Sequence, residues 1–325
     1  GFIFRPKQDD QPAFLNIDSR FSIVKLNQVP GYLPRNLIDR DVLHWLDKYL
    51  APGQAAGTVH SGHFVFHGPP ERAPFTDGSG YLSVLFGFDD LTLPYQSKWP
   101  PLEQASGNIA FVNQQFHAGI SAGKIADLQL AGARVSLFDL SRPVFSIAVR
   151  QTAPLADVLS TLKQLPVVDP KHFSVYRARG EGRFGLDISL DLDHADRLEI
   201  TGFYDLDGNT LAIDDSQIAL TGLQGRLKFN RNLLFADGIT GRFFDRPISI
   251  DLHSKQDAAG VVYSHLNATG YFDERLWDQL GLTAAWRDFA AQQVQGHASF
   301  SLDLQIPHAG EPISAQISSD LQGLT

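Results

Sequence analysis

The sequence predicts a mainly β protein, and three observations carry that prediction. Apolar and polar residues alternate with period two through most of the chain, which puts one set on each face of a pleated sheet. Turn motifs punctuate the alternating runs, among 28 glycines and 18 prolines. Only three stretches carry the 3.6-residue apolar spacing of an amphipathic helix.

Composition sets the outer limits. The 325 residues suffice for one large or two ordinary domains. With 43% hydrophobic and 19% charged residues, the chain is not mostly disordered. A net charge of −9 argues against a dedicated nucleic-acid binder, so no nucleic-acid partner is expected. Cysteine is absent, which excludes disulfide scaffolds, thiol catalysis and cysteine metal sites. Methionine is also absent, so the chain reads as a piece of a longer or processed protein. Gly1 to Asp10 lacks a signal-peptide pattern. No run of about 18 apolar residues occurs to span a bilayer as a helix, which leaves any membrane anchor outside this piece.

The elements follow in chain order. The first helix is expected over about 36–50, where Leu37, Ile38, Val42, Trp45, Leu46 and Tyr49 share a face. Pro34 precedes it and Pro52-Gly53 ends it. Asp77-Gly78-Ser79-Gly80 reads as a turn before the alternating Leu82, Val84, Phe86 and Phe88. A further strand carries Phe145, Ile147 and Val149. A short helix follows over about 154–165, with Leu155, Val158, Leu159 and Leu162 on one side and Pro154 near its first turn.

The stretch from Leu165 to Pro170 is the linker candidate. It separates a module at 1–165 from a second β module at 166–325, although the joint can also lie within one continuous sheet. In the second module, Phe184, Leu186, Ile188, Leu190 and Leu192 share one parity, opposed by Asp187, Ser189, Asp191 and Asp193. Asp207-Gly208-Asn209 reads as a hairpin turn between runs ending at Leu206 and starting at Leu211. Asp237-Gly238 looks similar. Ile248, Ile250 and Leu252 form another alternating run. A third helix is expected over about 273–293, with Leu276, Leu280, Trp286 and Phe289. Strands with Phe300, Leu302, Leu304 and Ile306, then Ile313, Ala315 and Ile317, close the chain. Gly107-Asn108-Ile109-Ala110-Phe111 echoes Gly225-Arg226-Leu227-Lys228-Phe229, and each is followed by a polar turn and another strand, as repeated hairpin units require.

Chemical motifs mostly fail on context. Gly180-Glu181-Gly182-Arg183-Phe184-Gly185 matches a dinucleotide fingerprint, but a strand follows where the helix must begin. His63 and His67 on a strand stand about 13 Å apart, too far for one zinc, and period two turns His60 to the other face. Asp205-Leu206-Asp207-Gly208-Asn209 begins like a calcium loop but lacks the glycine at the sixth position and the closing glutamate. Asp187, Asp191 and Asp193 read as a solvated strand face. Arg177, Arg179 and Arg183 can protect an edge or meet a phosphate. No nucleophile elbow occurs. What remains is the repeated apolar face itself. A second sheet can cover it, the common solution, or a ligand with acyl chains can occupy it as a groove.

Five segments then stand out in order along the chain. They are Gly31-Tyr32-Leu33-Pro34 before the Leu37 to Leu50 helix; Pro74-Phe75-Thr76-Asp77-Gly78-Ser79-Gly80; Leu93-Pro94-Tyr95 with Trp99-Pro100-Pro101-Leu102 and Gly107 to Phe111; Leu223 to Phe229 with Gly241 to Ile248; and Val294-Gln295-Gly296 through Ile306-Pro307 to Leu324. Together they resemble the YhdP branch of the AsmA-like envelope proteins. The resemblance implies an elongated, twisted antiparallel β-sheet forming a hydrophobic groove, with a few short amphipathic helices.

It also implies a periplasmic segment of an inner-membrane-anchored protein in a gram-negative envelope. Its implied role is to move phospholipid between inner and outer membranes and to support the outer-membrane barrier. The expected partners are phospholipid acyl chains, the inner membrane through a segment absent here, and outer-membrane or periplasmic proteins. No enzyme activity, catalytic residue, metal or cofactor is expected. Candidate groove-lining residues, by parity, are Val84, Phe86, Phe88, Ile109, Phe111, Leu186, Ile188, Leu190, Leu227, Phe229, Ile248, Ile250, Leu302 and Leu304. The rival readings are a closed β scaffold of the envelope and, prompted by Trp45, Trp99, Trp277 and Trp286, a glycan-handling β protein.

Overall fold

The computed structural model describes residues 1–8, 11–22, 24–28, 40–95, 97–139, 144–165, 176–191, 194, 197–213, 219–230, 233–256, 262–273, 296–307, 314–320 and 322. Among these residues nineteen strands pair antiparallel in one sheet, with two α-helices. The chain divides into two compact units. The first comprises Gly1–Gln151, Ser160–Val168 and Leu186–Glu199, the second Thr152–Leu159, Asp169–Gly185 and Ile200–Thr325.

The first unit is a meander. Its strands are β1 (Phe2–Arg5), β2 (Phe14–Phe21), β3 (Val24–Lys25), β4 (Ala56–Gly68), β5 (Tyr81–Leu93), β6 (Leu102–Val112), β7 (Gln115–Ile125), β8 (Leu128–Leu130), β9 (Ala133–Leu137) and most of β10 (Val144–Pro154). Each long strand pairs with its successor, and β4 also takes β2 and β3 on its other side. Between β2 and β4 lies α1 (Arg40–Tyr49). Its Tyr49 and the adjacent Leu50 are buried while His44, Asp47 and Lys48 are exposed, as an amphipathic helix requires. Gly53, at φ +83°, follows the helix where a left-handed residue is needed. The expected helix starts earlier, at 36; positions 36–39 lie outside the described residues.

The second helix, α2 (Leu155–Gln164), falls within the span its spacing predicts. It buries Leu155, Val158 and Thr161 on one face. Ser160 and Gln164 hold the Asp127 carboxylate, at 2.5 and 3.0 Å, beside the β7–β8 turn.

The second unit continues the meander with β11 (Tyr176–Arg179), β12 (Glu181–Asp191), β13 (Glu199–Ile213), β14 (Ala219–Asn230), β15 (Leu234–Phe243), β16 (Arg246–Gln256), β17 (Val262–Asp273), β18 (His297–Pro307) and β19 (Ser314–Ser318). Residues 186–191 of β12 belong to the first unit. From β13 to β19 each strand pairs with the next. Asp273 closes β17, and the rest of the helix expected over about 273–293 lies outside the described residues. So do most of the linker candidate, Leu192 and Ile313.

One turn prediction is corrected. Asp207-Gly208-Asn209 does not turn the chain. It sits inside β13 as a bulge, where the register with β14 shifts on both sides of Asn209. Gly208 takes φ +77°, and the Asp207 amide donates to Asn209 Oδ1 at 2.8 Å. A bulge and a hairpin both require a left-handed residue, so the local chemistry is the same. Asp237-Gly238 is likewise internal to β15, with Gly238 at φ +64° and a register shift between Ala236 and Ile239. Asp77-Gly78 is a true turn, its Asp77 carboxylate accepting from the Ser79 amide at 2.9 Å.

Candidate functional site

Antiparallel register brings the alternating residues into rows, because directly paired residues share a face. In the first unit Phe64, Val84, Phe111, Phe116, Leu137 and Phe145 form one row from β4 to β10. A parallel row holds Phe86, Ile109, Ala118, Val135 and Ile147. In the second unit Tyr204, Leu227, Ala236, Leu252, Leu266 and Leu304 run from β13 to β18. Beside them lie Ile239, Ile250, Ala268 and Leu302. Each unit therefore presents one apolar face several strands wide.

Within each unit the fourteen candidates gather on this face. Leu186, Ile188 and Leu190 keep the parity of β12 and oppose Asp187, which pairs with the Arg150 guanidinium. Phe229 stands opposite Gly202 and Ile248 opposite Gly270. Burial separates the fourteen. Phe88, Ile248 and Ile250 are buried, with 3, 8 and 6% of their surface exposed. The other eleven are half-buried. The candidate set also left out Phe64, Phe116, Leu252, Leu266 and Phe300, which stand in or beside the same rows; Leu252 and Phe300 already belong to the alternating runs of the sequence, whereas Phe64, Phe116 and Leu266 join the rows only through register.

Bulges account for part of the sealed set. Register shifts interrupt β4 near Ser61, β5 near Asp90, β6 near Gln104, and β13, β14 and β15 in the second unit. A bulge bends its strand and sharpens the twist. Side chains on the inside of such a bend close on one another. Val59, Leu91 and Ala105 are buried beside the bulges of the first unit, and Leu223, Ala236 and Ile239 beside those of the second.

The opposite face is polar and self-paired. Arg226 grips Asp205 through Nε at 2.5 Å and Nη2 at 2.8 Å, while Arg183 approaches the same carboxylate at 2.8 Å. These contacts, led by the Arg226 hydrogen bonds, hold the Asp205 carboxyl below the usual range. The Arg226 guanidinium also lies 4.3 Å from the Phe203 ring centroid. Thus Arg183 of the predicted basic cluster is engaged by a carboxylate. At the inner face, burial pushes the Tyr204 phenol up to about 12, and its hydroxyl donates to Ala153 O at 2.7 Å.

The remaining motifs resolve structurally. His60 and His63 lie on one face, not on two as period two predicts, because the bulge at Ser61 (φ +52°) adds a residue between them. They bond Asp89 and Asp18, each at 3.0 Å. Among the described residues no group of three or more His, Asp or Glu is placed to hold a metal. The glycines of the dinucleotide-like motif allow close strand contacts. A Cβ on Gly182 would lie 2.5 Å from the Tyr204 ring, and one on Gly185 would lie 2.2 Å from the Phe203 ring. Among the described residues no helix is long and apolar enough to cross a membrane.

Comparison with known proteins gives two matches. The family described as "YhdP protein" matches residues 3–325. The intermembrane phospholipid transporter YhdP of Escherichia coli (strain K12) is 21% identical over 99% of this chain and 26% of its own length. The chain therefore spans about a quarter of that relative. No solved structure matches.

Proposed function

The chain belongs to the YhdP family, and on that footing we propose that its apolar face carries phospholipid acyl chains. The relative's transport of phospholipid between membranes supports this reading. In it, the chain is a periplasmic segment of an inner-membrane-anchored transfer protein. It moves lipid between the inner and outer membranes and so supports the outer-membrane barrier. It does so without enzymatic chemistry.

The observation that carries the proposal is the half-burial of eleven of the fourteen face residues. A closed sandwich buries its inward side chains against a second sheet. Half-exposed Leu, Ile and Phe retain apolar surface in contact with water, and each acyl methylene that covers such surface gains about 0.8 kcal/mol. The lining carries row after row of similar aliphatic and aromatic groups. Such a lining offers neighbouring sites of similar depth, which suits sliding better than tight capture. Headgroups remain wet at the open side.

Native mass spectrometry of the purified chain, together with uptake of a fluorescent phospholipid from vesicles, tests the proposal. Bound phospholipid and measurable uptake are expected. Ile188→Asp combined with Leu190→Asp should abolish uptake in a folded protein, since an unpaired charge is strongly disfavoured beside hydrocarbon. A wild-type chain that purifies free of lipid and takes up none returns the molecule to the envelope-scaffold reading.

A further inference from the structure

Four phenylalanines on the apolar face stand directly opposite glycines of neighbouring strands. The pairs are Phe21 with Gly62, Phe88 with Gly107, Phe229 with Gly202, and Phe300 with Gly270. Each unit contains two. In every pair the ring occupies the space beside the glycine. A Cβ built on Gly62 would lie 1.9 Å from both Cε2 and Cζ of Phe21. On Gly202 it would lie 2.3 Å from Phe229 Cζ, and on Gly107 and Gly270 it would lie 2.9 Å from a ring atom of Phe88 and Phe300. A Cβ sits only about 1.5 Å from its own Cα, like other carbon neighbours of Cα. Rings this close to its position lie down along the backbone of the next strand. The Phe229 ring continues this layer onto β12, stacking on Phe184 at 6.5 Å with 17° between planes.

Aromatic residues across from strand glycines cover exposed backbone and pin register. Here the arrangement has a second consequence. Phenylalanine is the bulkiest repeated side chain on this face, yet a ring lying flat adds apolar area while leaving the space above it free. We infer that the three glycines opposite half-buried rings, Gly62, Gly202 and Gly270, set the clearance of the lipid path, holding the rings down so that a two-chain lipid passes over them; Phe88 opposite Gly107 is sealed and lies outside the path. This rests on the lipid reading above. Alanine at such a position lifts the ring off the strand and narrows the path, most severely for two acyl chains side by side.

Two of the four positions isolate the effect. Gly107 and Gly202 also face backbone oxygens, at 2.0 Å (Gly119 O) and 2.5 Å (Gly185 O), so substitution there strains the sheet itself. The three nearest atoms to a Cβ on Gly62 all belong to the Phe21 ring, while Gly270 meets Phe300 and, at 3.0 Å, Pro247 O. The experiment compares uptake by the 325-residue chain of a fluorescent diacyl phospholipid and a fluorescent single-chain fatty acid. Circular dichroism checks the fold.

Gly62→Ala and Gly270→Ala should each lower diacyl uptake about tenfold, the scale of a modest overpacking penalty. Fatty-acid uptake should stay within about twofold, as for a neutral surface change. Adding Phe21→Ala to Gly62→Ala should restore the diacyl lipid. Folded glycine variants that take up diacyl lipid like the wild type overturn the clearance role and leave the lipid reading standing. A wild-type chain that takes up neither lipid overturns both. Should the glycine variants fail to fold, Phe21→Ala alone decides. A flat ring obstructs nothing and its apolar area serves both lipids alike, so the ratio of diacyl to fatty-acid uptake should remain within about twofold; a large diacyl-selective gain overturns the inference.

Discussion

Leu227 and Ile239 lie on the same face of one hairpin, yet they live in different surroundings. Ile239 sits at the β15 bulge and exposes 7% of its surface, packed with Leu223, Ala236 and Ile250. Leu227 also borders a register shift, the one between Gln224 and Leu227 in β14, yet it is half-buried. The two are similar in size and hydrophobicity. Their difference teaches that the neighbours gathered around a side chain, rather than its residue type, decide whether it is sealed. A flat sheet with this pattern would need a cover over its whole face. A sheet bent at bulges closes its own crease and leaves its walls available. On the proposed lipid reading, stability and ligand contact then reside in different residues of one face.

The largest predicted effect strikes the crease. Ile239→Ala should destabilise the chain by about 3 kcal/mol, the range for truncating a buried aliphatic side chain, read from urea unfolding. Asn209→Ala should follow at about 2 kcal/mol. Asn209 is fully buried at the β13 bulge, where its side chain accepts from the Asp207 amide and donates to Arg179 O at 3.3 Å. Its loss orphans both backbone groups inside the bend. Leu227→Ala should cost about 1 kcal/mol, because a half-exposed side chain gains less from burial. It should nevertheless weaken phospholipid uptake more than its stability cost would suggest. Equal losses at Leu227 and Ile239 would erase the distinction between wall and crease.

The sequence revealed the face but not its depth. Alternation placed β12, β16 and β18 and put all fourteen candidates on the parity they occupy, because strand periodicity is local information. Helical spacing likewise located α1 and α2. The bulges escaped notice. Asp207-Gly208-Asn209 is chemically a turn, and only the partner strand makes it a bulge. The same blindness split His60 from His63. Ile248 and Leu302 look equivalent in sequence, yet one is sealed and the other half-open, since burial depends on bends in neighbouring strands. The phenylalanine–glycine pairs were hidden for the same reason: each joins different strands, and register alone unites them.

The polar face supplies the smallest predicted effect and a control for the rest. Asp205 and Arg226 face away from the apolar rows, so their pairing should affect stability without touching lipid uptake. Hydrogen bonds from Arg226, then its charge and that of Arg183, depress the Asp205 pKa below its ordinary 3.8. A depressed carboxylate pKa stabilises the folded state above the unfolded value and loses that contribution as pH falls through the folded value. The window therefore opens below about pH 4. Asp205→Asn should lower the melting temperature slightly at neutral pH and flatten its decline between neutral and strongly acidic conditions. Exposed pairs are screened by solvent and salt, so the shift should shrink as salt rises. Uptake of phospholipid at neutral pH should match the wild type. An Asp205→Asn chain that keeps its fold but loses uptake would show that the two faces are coupled, and wall, crease and outer surface would no longer be separable parts.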